Sequence, residues 1–422
     1  MSLNSTGAEA SLTCLEKSEE TSPYLLRVSS QEASFWKTVK PLLGHLDMEL
    51  TERCNNNCIH CGINLPAGDS AAKQRELSTA TIKSILTEAA SLGCFSVRFT
   101  GGEPLLREDF EEIYLHARKT GLKVILFTNA TLVTPALAEL FSRIFPLEDI
   151  EISVYGIKKT SYEAVTRAPG SFEAAWRGIH LLLEKKVPFV VKSALLPPNR
   201  GEVEDFETWA STVPWMDDFP SYSVFFELHG RRDEKRNQMI RSLRPEPNAG
   251  VQFLARRKKK YLNEMEAFCS KFIGPPGDRL FACGAGVGGA CVDAYGMAQL
   301  CMDLRHPQTV YDLKKGSLNE AVTQFFPQVR EVKPENPDYV ARCARCFLKG
   351  LCEQCPAKAW AEHGTLDTPV DYYCEIAHTE ARVLGLLRKD ERAWEVSDWK
   401  ERLRNLSHRE YGIKSKRRSS WT

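Results

Sequence analysis

Short apolar runs alternate with amphipathic stretches along the first half of the chain. The runs have the length of buried strands, and the stretches between them carry apolar residues at the spacing of a helix. The predicted strands are His45–Leu50, Ser96–Thr100, Lys123–Thr128, Asp149–Val154, Phe189–Leu195 and Ser221–Glu227. The predicted helices are Ser78–Leu92 with Ser78 as its N-cap, Glu108–Lys119, Pro135–Ile144, Ser171–Glu184 and Val203–Ser211.

Regular alternation of strands and helices predicts an α/β fold. We expect a parallel sheet curled into a partial (β/α)6 barrel of the TIM type, with its site at the C-terminal ends of the strands. A small Cys-rich domain is expected to follow this barrel. The predicted divisions are an N-terminal extension (1–45), the barrel (46–229), a basic helical linker (230–274), the Cys-rich domain (275–380) and a helical basic tail (381–422) that includes Lys414–Arg418.

The predicted linker carries a basic run, Arg256–Lys260. A solvated helical connection is the first interpretation, and a patch for nucleic acid or a leader peptide is the second. Since the net charge of the whole chain is only +1, no global field favours nucleic acid or an anionic membrane. No apolar run is long enough to span a bilayer, and Met1–Glu20 lacks the pattern of a signal peptide. The expected location is therefore the cytosol.

Fourteen cysteines are many for a protein of that compartment. Disulfides are rare there, so metal binding or catalysis is the better expectation. Cys14, Cys94 and Cys269 stand alone and are predicted to be structural. The other cysteines form one group near the first strand and a second group in the last third of the chain.

The first group reads Cys54-x3-Cys58-x2-Cys61, directly after the first predicted strand. Three thiolates on one loop can hold three corners of a [4Fe–4S] cluster and leave the fourth iron open. A zinc site would need His60 as its fourth ligand, next to Cys61, which is unusual spacing. The cysteine pattern resembles that of the radical S-adenosylmethionine (SAM) superfamily.

Further motifs support this resemblance. Gly101-Gly102-Glu103 follows the second strand and looks like the superfamily motif that receives the SAM amino group. The resemblance also implies that His60 lies near the adenine, and that Asn129, Ser153 and Lys192 contact SAM from the ends of later strands. Ala130 stands where relatives have glycine. In the superfamily, one electron from the cluster cleaves SAM to methionine and a 5′-deoxyadenosyl radical, which removes a hydrogen atom from the substrate.

The second group resembles the SPASM domain, which follows many radical SAM barrels and binds two auxiliary [4Fe–4S] clusters. The resemblance implies an inner and an outer set of ligands, although only two residues separate Cys352 from Cys355 where three are usual. One or two structural zinc ions are the alternative. The implied inner ligands are Cys283, Cys291, Cys301 and Cys355, and the implied outer ligands are Cys343, Cys346, Cys352 and Cys374.

Enzymes of this class mostly modify peptides or proteins, so the resemblance implies oxidative modification of a peptide. A flavodoxin or ferredoxin is the implied electron donor, and a separate protein is one way to bind a leader. An anaerobic sulfatase-maturating type, with Asp293 or Asp303 as an acid candidate, is an alternative, and a small-molecule substrate is another. An electron-transfer protein without catalysis is disfavoured, because an open iron serves no purpose there. No other catalytic residue is assigned from the sequence.

Overall fold

A computed structural model describes residues 42–230, 233–352 and 355–407. The predicted N-terminal extension up to residue 41, Cys14, and the basic run Lys414–Arg418 lie outside the described residues, so those predictions stay predictions. The division of the chain into domains is likewise a prediction. None of the helices in the described ranges is both long and apolar enough to cross a membrane.

The strands follow the predicted order with small shifts at their ends. They are β1 (His45–Thr51), β2 (Arg53–Cys54), β3 (Leu65–Pro66), β4 (Ser96–Gly101), β5 (Lys123–Thr128), β6 (Leu147–Ser153), β7 (Phe189–Ala194), β8 (Ser221–Ser223), β9 (Gly289–Val292), β10 (Met297–Gln299) and β11 (Val310–Asp312). The predicted sixth barrel strand is too long, because only its first residues pair with β7. Strands β2, β3, β9, β10 and β11 were not predicted.

The barrel helices also match the periodic pattern closely, and Ser78 caps its helix by accepting a hydrogen bond from the Thr81 N–H. The helix over Lys159–Thr166 was missed. The helices are α1 (Ser70–Arg75), α2 (Thr79–Ser91), α3 (Phe110–Lys119), α4 (Pro135–Arg143), α5 (Lys159–Thr166), α6 (Ser171–Glu184), α7 (Val203–Ala210), α8 (Glu234–Leu243), α9 (Pro247–Leu254), α10 (Lys258–Phe272), α11 (Leu318–Glu320), α12 (Phe326–Arg330), α13 (Pro337–Ala341), α14 (Lys349–Cys352), α15 (Pro356–His363), α16 (Asp371–Val383) and α17 (Trp399–Ser407).

One nine-stranded sheet runs through the molecule in the order β11-β10-β9-β1-β4-β5-β6-β7-β8. The six strands from β1 to β8 in this row are parallel and consecutive in the barrel order, which confirms the predicted α/β class. Strand β9 pairs in parallel with β1 through His45 and Gly289. The Cys-rich segment therefore extends the same sheet.

The predicted linker is helical, but it is not fully solvated. Tyr261 and Cys269 of α10 are buried in an apolar cluster with Phe347. The basic run is also partly neutralised, because Arg256 and Arg257 both pair with Glu207 of α7 at 2.5 Å. Packing and ion pairing thus hold these helices against the barrel and the C-terminal region.

Candidate functional site

The two faces of the sheet differ in chemistry. Strand register places Asp47, Arg98, Phe127, Glu151 and Lys192 on one face. They form a continuous row, since Asp47 pairs with Arg98 at 2.9 Å and the arginine lies 4.7 Å from the Phe127 ring centroid. The opposite face carries apolar side chains that pack beneath the helices. The polar face is thus the one that faces away from the helical layer.

The cysteine loop starts where β1 ends. Cys54 closes the short strand β2, and the loop is anchored by Asn57 and Ile59, whose N–H groups donate to the carbonyls of Thr166 and Val165. Arg236 of α8 donates 2.8 Å to the Cys61 carbonyl. These contacts fix the backbone that presents all three thiols.

Burial raises the pKa of the Cys54 thiol to about 12, and the Glu103 carboxyl group adds to the rise. Burial likewise raises the pKa of Cys58 well above its usual range, with Cys61 as the next cause. The protons on these thiols must leave when iron binds, so loading is coupled to proton release. This donor set, three soft thiols held on one loop, fits a cluster with one open iron.

The Gly101-Gly102-Glu103 segment lies against the same loop. Gly101 has φ +115°, and a Cβ on Gly102 would come within 2.2 Å of the Arg53 carbonyl oxygen. Glycine is required at both positions, at the first for its conformation and at the second for its closeness to the chain that leads into Cys54.

Glu103 is fully enclosed, and its carboxylate accepts three hydrogen bonds. The donors are the Leu105 N–H at 3.2 Å, the Thr128 hydroxyl at 2.8 Å and the Asn129 N–H at 2.8 Å. Burial raises its pKa to about 7, and these donors oppose the rise. Glu103 therefore ties the ends of β4 and β5 together, with lone pairs left for a further donor.

Asn129 lies beside the cysteine loop. Its side-chain N–H group donates 2.9 Å to Asn55 and lies 3.8 Å from the Cys54 sulfur. Ala130 has φ +59°, the left-handed conformation for which glycine is better suited. Glycine would adopt that backbone conformation with less strain than alanine does.

His60 packs between aromatic rings, 5.0 Å from the Tyr155 centroid and 5.7 Å from that of Phe226. Burial lowers its pKa to about 4, so the ring is neutral. Its Nδ1 makes no hydrogen bond within the described part of the chain. Ser153 bonds the Tyr155 side chain at the end of β6. A bound group with polar edges fits against His60 and would satisfy that nitrogen.

Lys192 has a protein partner. Its ammonium lies 2.8 Å from Glu151 and 3.1 Å from the Phe127 ring centroid. Burial lowers its pKa, and Glu151 opposes that change. The sequence predicted a contact from this lysine to SAM, and that contact stays a prediction, while the structure shows an ion pair with Glu151 on the neighbouring strand.

Three cysteines of the implied inner set are buried or half-buried and influence one another's thiols in turn. Burial is the largest cause of the raised pKa of all three thiols. Negative charge on Cys301 further raises the pKa of Cys291, and negative charge on Cys355 further raises that of Cys301. Cys283 is the exposed member, on the loop before β9. A cluster at this point would lie beside β1, because Cys291 of β9 pairs with Asp47.

The two acid candidates differ. Asp293 is buried, and one of its oxygens accepts from the N–H groups of Tyr295 and Met297 at 2.9 Å, so it shapes the turn before β10. Asp303 is exposed at the surface, and the protein packed around its carboxyl group, together with Glu227, raises the pKa of that group. Asp303 is the better placed of the two for chemistry.

All four cysteines of the implied outer set line one cavity, together with cationic side chains. Burial is the main cause of the raised pKa of Cys352, and negative charge on each of the other three thiols raises it further. Within the described ranges, no group of three or more Cys, His, Asp or Glu side chains fits a single metal ion. A cubane cluster does not require the four sulfurs to converge on one metal ion, because each thiolate binds a separate iron.

Residues 48–210 match the model of the Radical SAM superfamily. The chain carries a radical SAM domain. The matched range contains the cysteine loop, the Gly-Gly-Glu segment, Asn129, Ser153 and Lys192.

Known relatives of the radical SAM domain have several activities. An AdoMet-dependent heme synthase of Methanosarcina barkeri is 33% identical over 44% of this chain and 51% of its own length. A PqqA peptide cyclase of Xanthomonas campestris is 33% identical over 37% of this chain and 45% of its own length. The chain thus spans about half the length of the curated relatives that it matches.

Solved structures share the fold over a longer range. The structure of anSMEcpe with AdoMet and the Cp18Cys peptide has a TM-score of 0.54 at 16% identity, over 86% of this chain and 99% of that one. SuiB of Streptococcus suis bound to precursor peptide SuiA has a TM-score of 0.53 at 14% identity, over 82% and 79%. The radical SAM domain and the Cys-rich segment together therefore adopt a fold that these enzymes share.

Sequence reasoning missed several residues that lie near the two cysteine groups. Arg305 pairs with Glu49 at 2.5 Å and lies 3.8 Å from Glu52, so it bonds the segment after β10 to the first strand. Arg236 supports Cys61 from the predicted linker. Of these residues, only His378 could have been found from the sequence, because it lies one helical turn after Cys374.

Proposed function

We propose that this protein is a radical SAM/SPASM enzyme that oxidatively modifies a peptide or protein, in the cytosol. The observation that carries the proposal is the arrangement of its cysteines. Three lie on the loop after β1, and the outer four line one cavity. A fold shared over most of the chain with two enzymes bound to peptides supports the peptide substrate.

In this proposal Cys54, Cys58 and Cys61 hold a [4Fe–4S] cluster, and SAM binds its open iron. Bound there, the cofactors would supply a 5′-deoxyadenosyl radical that takes one hydrogen atom from the substrate. His60 would flank the adenine, and the Gly101-Gly102-Glu103 segment would receive the SAM amino group. Asn129, Ser153 and Lys192 would complete the SAM site.

The Cys-rich segment would hold two auxiliary clusters. The inner ligands would be Cys283, Cys291, Cys301 and Cys355, and the outer ligands Cys343, Cys346, Cys352 and Cys374. After hydrogen abstraction, oxidation of the substrate releases one electron and one proton. The auxiliary clusters would accept the electron, and a flavodoxin or ferredoxin would exchange electrons with the protein.

The acid–base group of this reaction is proposed to be Asp303. It reaches solvent beside Cys301, and the Glu227–Lys358 ion pair, 2.9 Å long, lies near it. This arrangement also suits the sulfatase-maturating alternative, in which a side chain of the substrate protein loses hydrogen. A small-molecule substrate is the other candidate, which the heme synthase relative favours.

The test is reductive cleavage of SAM by the anaerobically reconstituted protein. We expect 5′-deoxyadenosine from the wild type and none from Cys54→Ala, Cys58→Ala or Cys61→Ala. Cys94→Ala is the matched control, because Cys94 is also buried but bonds only backbone carbonyls. Product formation by any of the three loop variants would refute the radical site.

Substrate class is tested separately, with short peptides encoded near the gene. A mass loss of about 2 Da in a peptide, as expected for removal of two hydrogens, would support peptide oxidation. Turnover of a tetrapyrrole, with every peptide unchanged, would establish the small-molecule alternative instead.

A further inference from the structure

The cavity of the outer cysteines has cationic and N–H groups built around it. Besides the four sulfurs, it is lined by Arg342, Lys349 and His378, with Trp394 over one side. The inner set also has charged groups of both signs near it, because Asp303 acts on Cys301, while Lys358 and, more weakly, Glu227 act on Cys355. What distinguishes the outer cavity is that Arg342 and His378 both reach the Cys374 sulfur.

Arg342 points a donor at one ligand. Its Nη2 lies 3.8 Å from the Cys374 sulfur and also donates 2.6 Å to Asp371. Asp338 lies 3.4 Å from its other terminal nitrogen, and the guanidinium stands 5.1 Å from the Trp394 centroid. These contacts hold the guanidinium in place, with one of its N–H groups directed at the sulfur.

His378 points a second donor at the same sulfur. The Ala393 N–H donates 3.2 Å to Nε2, so Nε2 is an acceptor and the proton lies on Nδ1. That Nδ1–H lies 2.8 Å from the Cys374 carbonyl oxygen and 3.6 Å from its sulfur. Since His378 is only 1% exposed, this orientation is held by packing.

We propose that Arg342 and His378 raise the reduction potential of the cluster that the outer cysteines would hold, which makes that cluster a better acceptor for an electron leaving the substrate. A positive charge and an N–H donor stabilise a cluster more when it has gained an electron. Outward transfer oxidises the inner cluster, reduces the outer cluster and moves no proton. The inference rests on the proposed function, because it requires a cluster at the outer set.

The experiment is a potentiometric titration of the full, reconstituted chain, followed by electron paramagnetic resonance. It needs no substrate and no SAM cleavage, so it fails independently of the proposed reaction. For Arg342→Gln we expect the equilibrium constant for one-electron reduction of one auxiliary cluster to fall at least tenfold, about 59 mV. Arg342→Lys keeps the charge and should keep most of the potential, and His378→Phe should lower the same signal.

Arg345→Gln is the matched control, because Arg345 is an exposed arginine on the next turn. It should change the constant less than twofold. Unchanged potentials in both Arg342→Gln and His378→Phe, with iron retained, would overturn the inference. Loss of about four iron in both variants would overturn it as well, since the residues would then retain the cluster rather than tune it. A wild type with about eight iron and zinc would remove the outer cluster itself.

Discussion

The Asn129 N–H donates a 2.8 Å hydrogen bond to the Glu103 carboxylate, which joins the loop after β5 to the loop after β4. Asn129 in turn reaches Asn55 and the Cys54 sulfur through its side chain. A buried carboxylate thus positions the cysteine loop through its neighbour. Glu103 has a structural task in addition to the proposed contact with SAM.

Glu103 should make stability depend on pH. Its pKa is about 7 in the folded protein against an ordinary value of 4.5, so the folded state binds the proton more tightly. Its contribution is therefore most favourable below pH 4.5 and is lost as pH rises to 7, by up to about 1.4 kcal/mol per pH unit. The thermal midpoint of wild type relative to Glu103→Gln should fall between pH 5 and pH 7. Parallel pH profiles for the two proteins would contradict this.

Gly102→Ala should prevent cluster loading. The new Cβ would lie 2.2 Å from the Arg53 carbonyl, and backbone cannot move aside cheaply next to Cys54. We expect about four iron fewer than wild type after reconstitution. Gly68→Ala is the control, because its Cβ meets nothing within 4 Å. Full iron content in Gly102→Ala would contradict this prediction and show that the loop can move to accommodate the added Cβ.

Lys192 and Glu151 allow a structural role to be separated from a SAM contact. Lys192→Met leaves a half-buried carboxylate without its cation, so we expect a loss of about 1 kcal/mol that Glu151→Gln largely restores. If Lys192 also contacts SAM, the double variant should regain stability but keep a raised KM for SAM cleavage. Full recovery of both properties would limit Lys192 to the ion pair.

Arg305→Met should be strongly destabilising. The guanidinium is buried among Glu49, Glu52 and Asp293, and its removal leaves these carboxylates without their shared cation. Loss of one partner from such a buried group costs about 3–5 kcal/mol. Denaturant unfolding measures the loss, and the exposed Arg345→Gln variant should behave like wild type.

Metal content distinguishes the interpretations of the Cys-rich segment. Three cubanes predict about 12 iron and about 12 sulfide per chain, with negligible zinc. About 4 iron with one or two zinc ions would keep the radical SAM site but make the second cysteine group structural. Its proposed role in substrate oxidation would then be withdrawn.

Local patterns predicted the barrel well because each of its strands and helices has its own periodicity. Helix Ser171–Glu184 and strand Lys123–Thr128 have the predicted bounds. The last barrel strand was predicted too long, since its apolar residues beyond Ser223 are buried without pairing in the sheet. A buried apolar segment has the same sequence pattern as a strand, so the pattern alone does not show whether the segment pairs in the sheet.

Contacts between distant segments left little local signal. Strands β9 and β10 are only four and three residues long, which is too short to show a periodic pattern of apolar residues. Arg305 looks like an ordinary surface arginine until β9 brings it to Glu49. The two cysteine groups were visible in the sequence, because residue type and spacing alone mark them as candidate ligands.

The pairing of His45 with Gly289 has a consequence for biosynthesis. At about 5–20 residues per second, a ribosome needs on the order of 12 to 50 seconds to travel from one residue to the other. Throughout that interval β1 has an open edge, at which strands of other chains could add. Chaperones that bind the chain during translation, and lower temperatures during overproduction, should therefore increase the fraction of this protein that folds far enough to be loaded with iron.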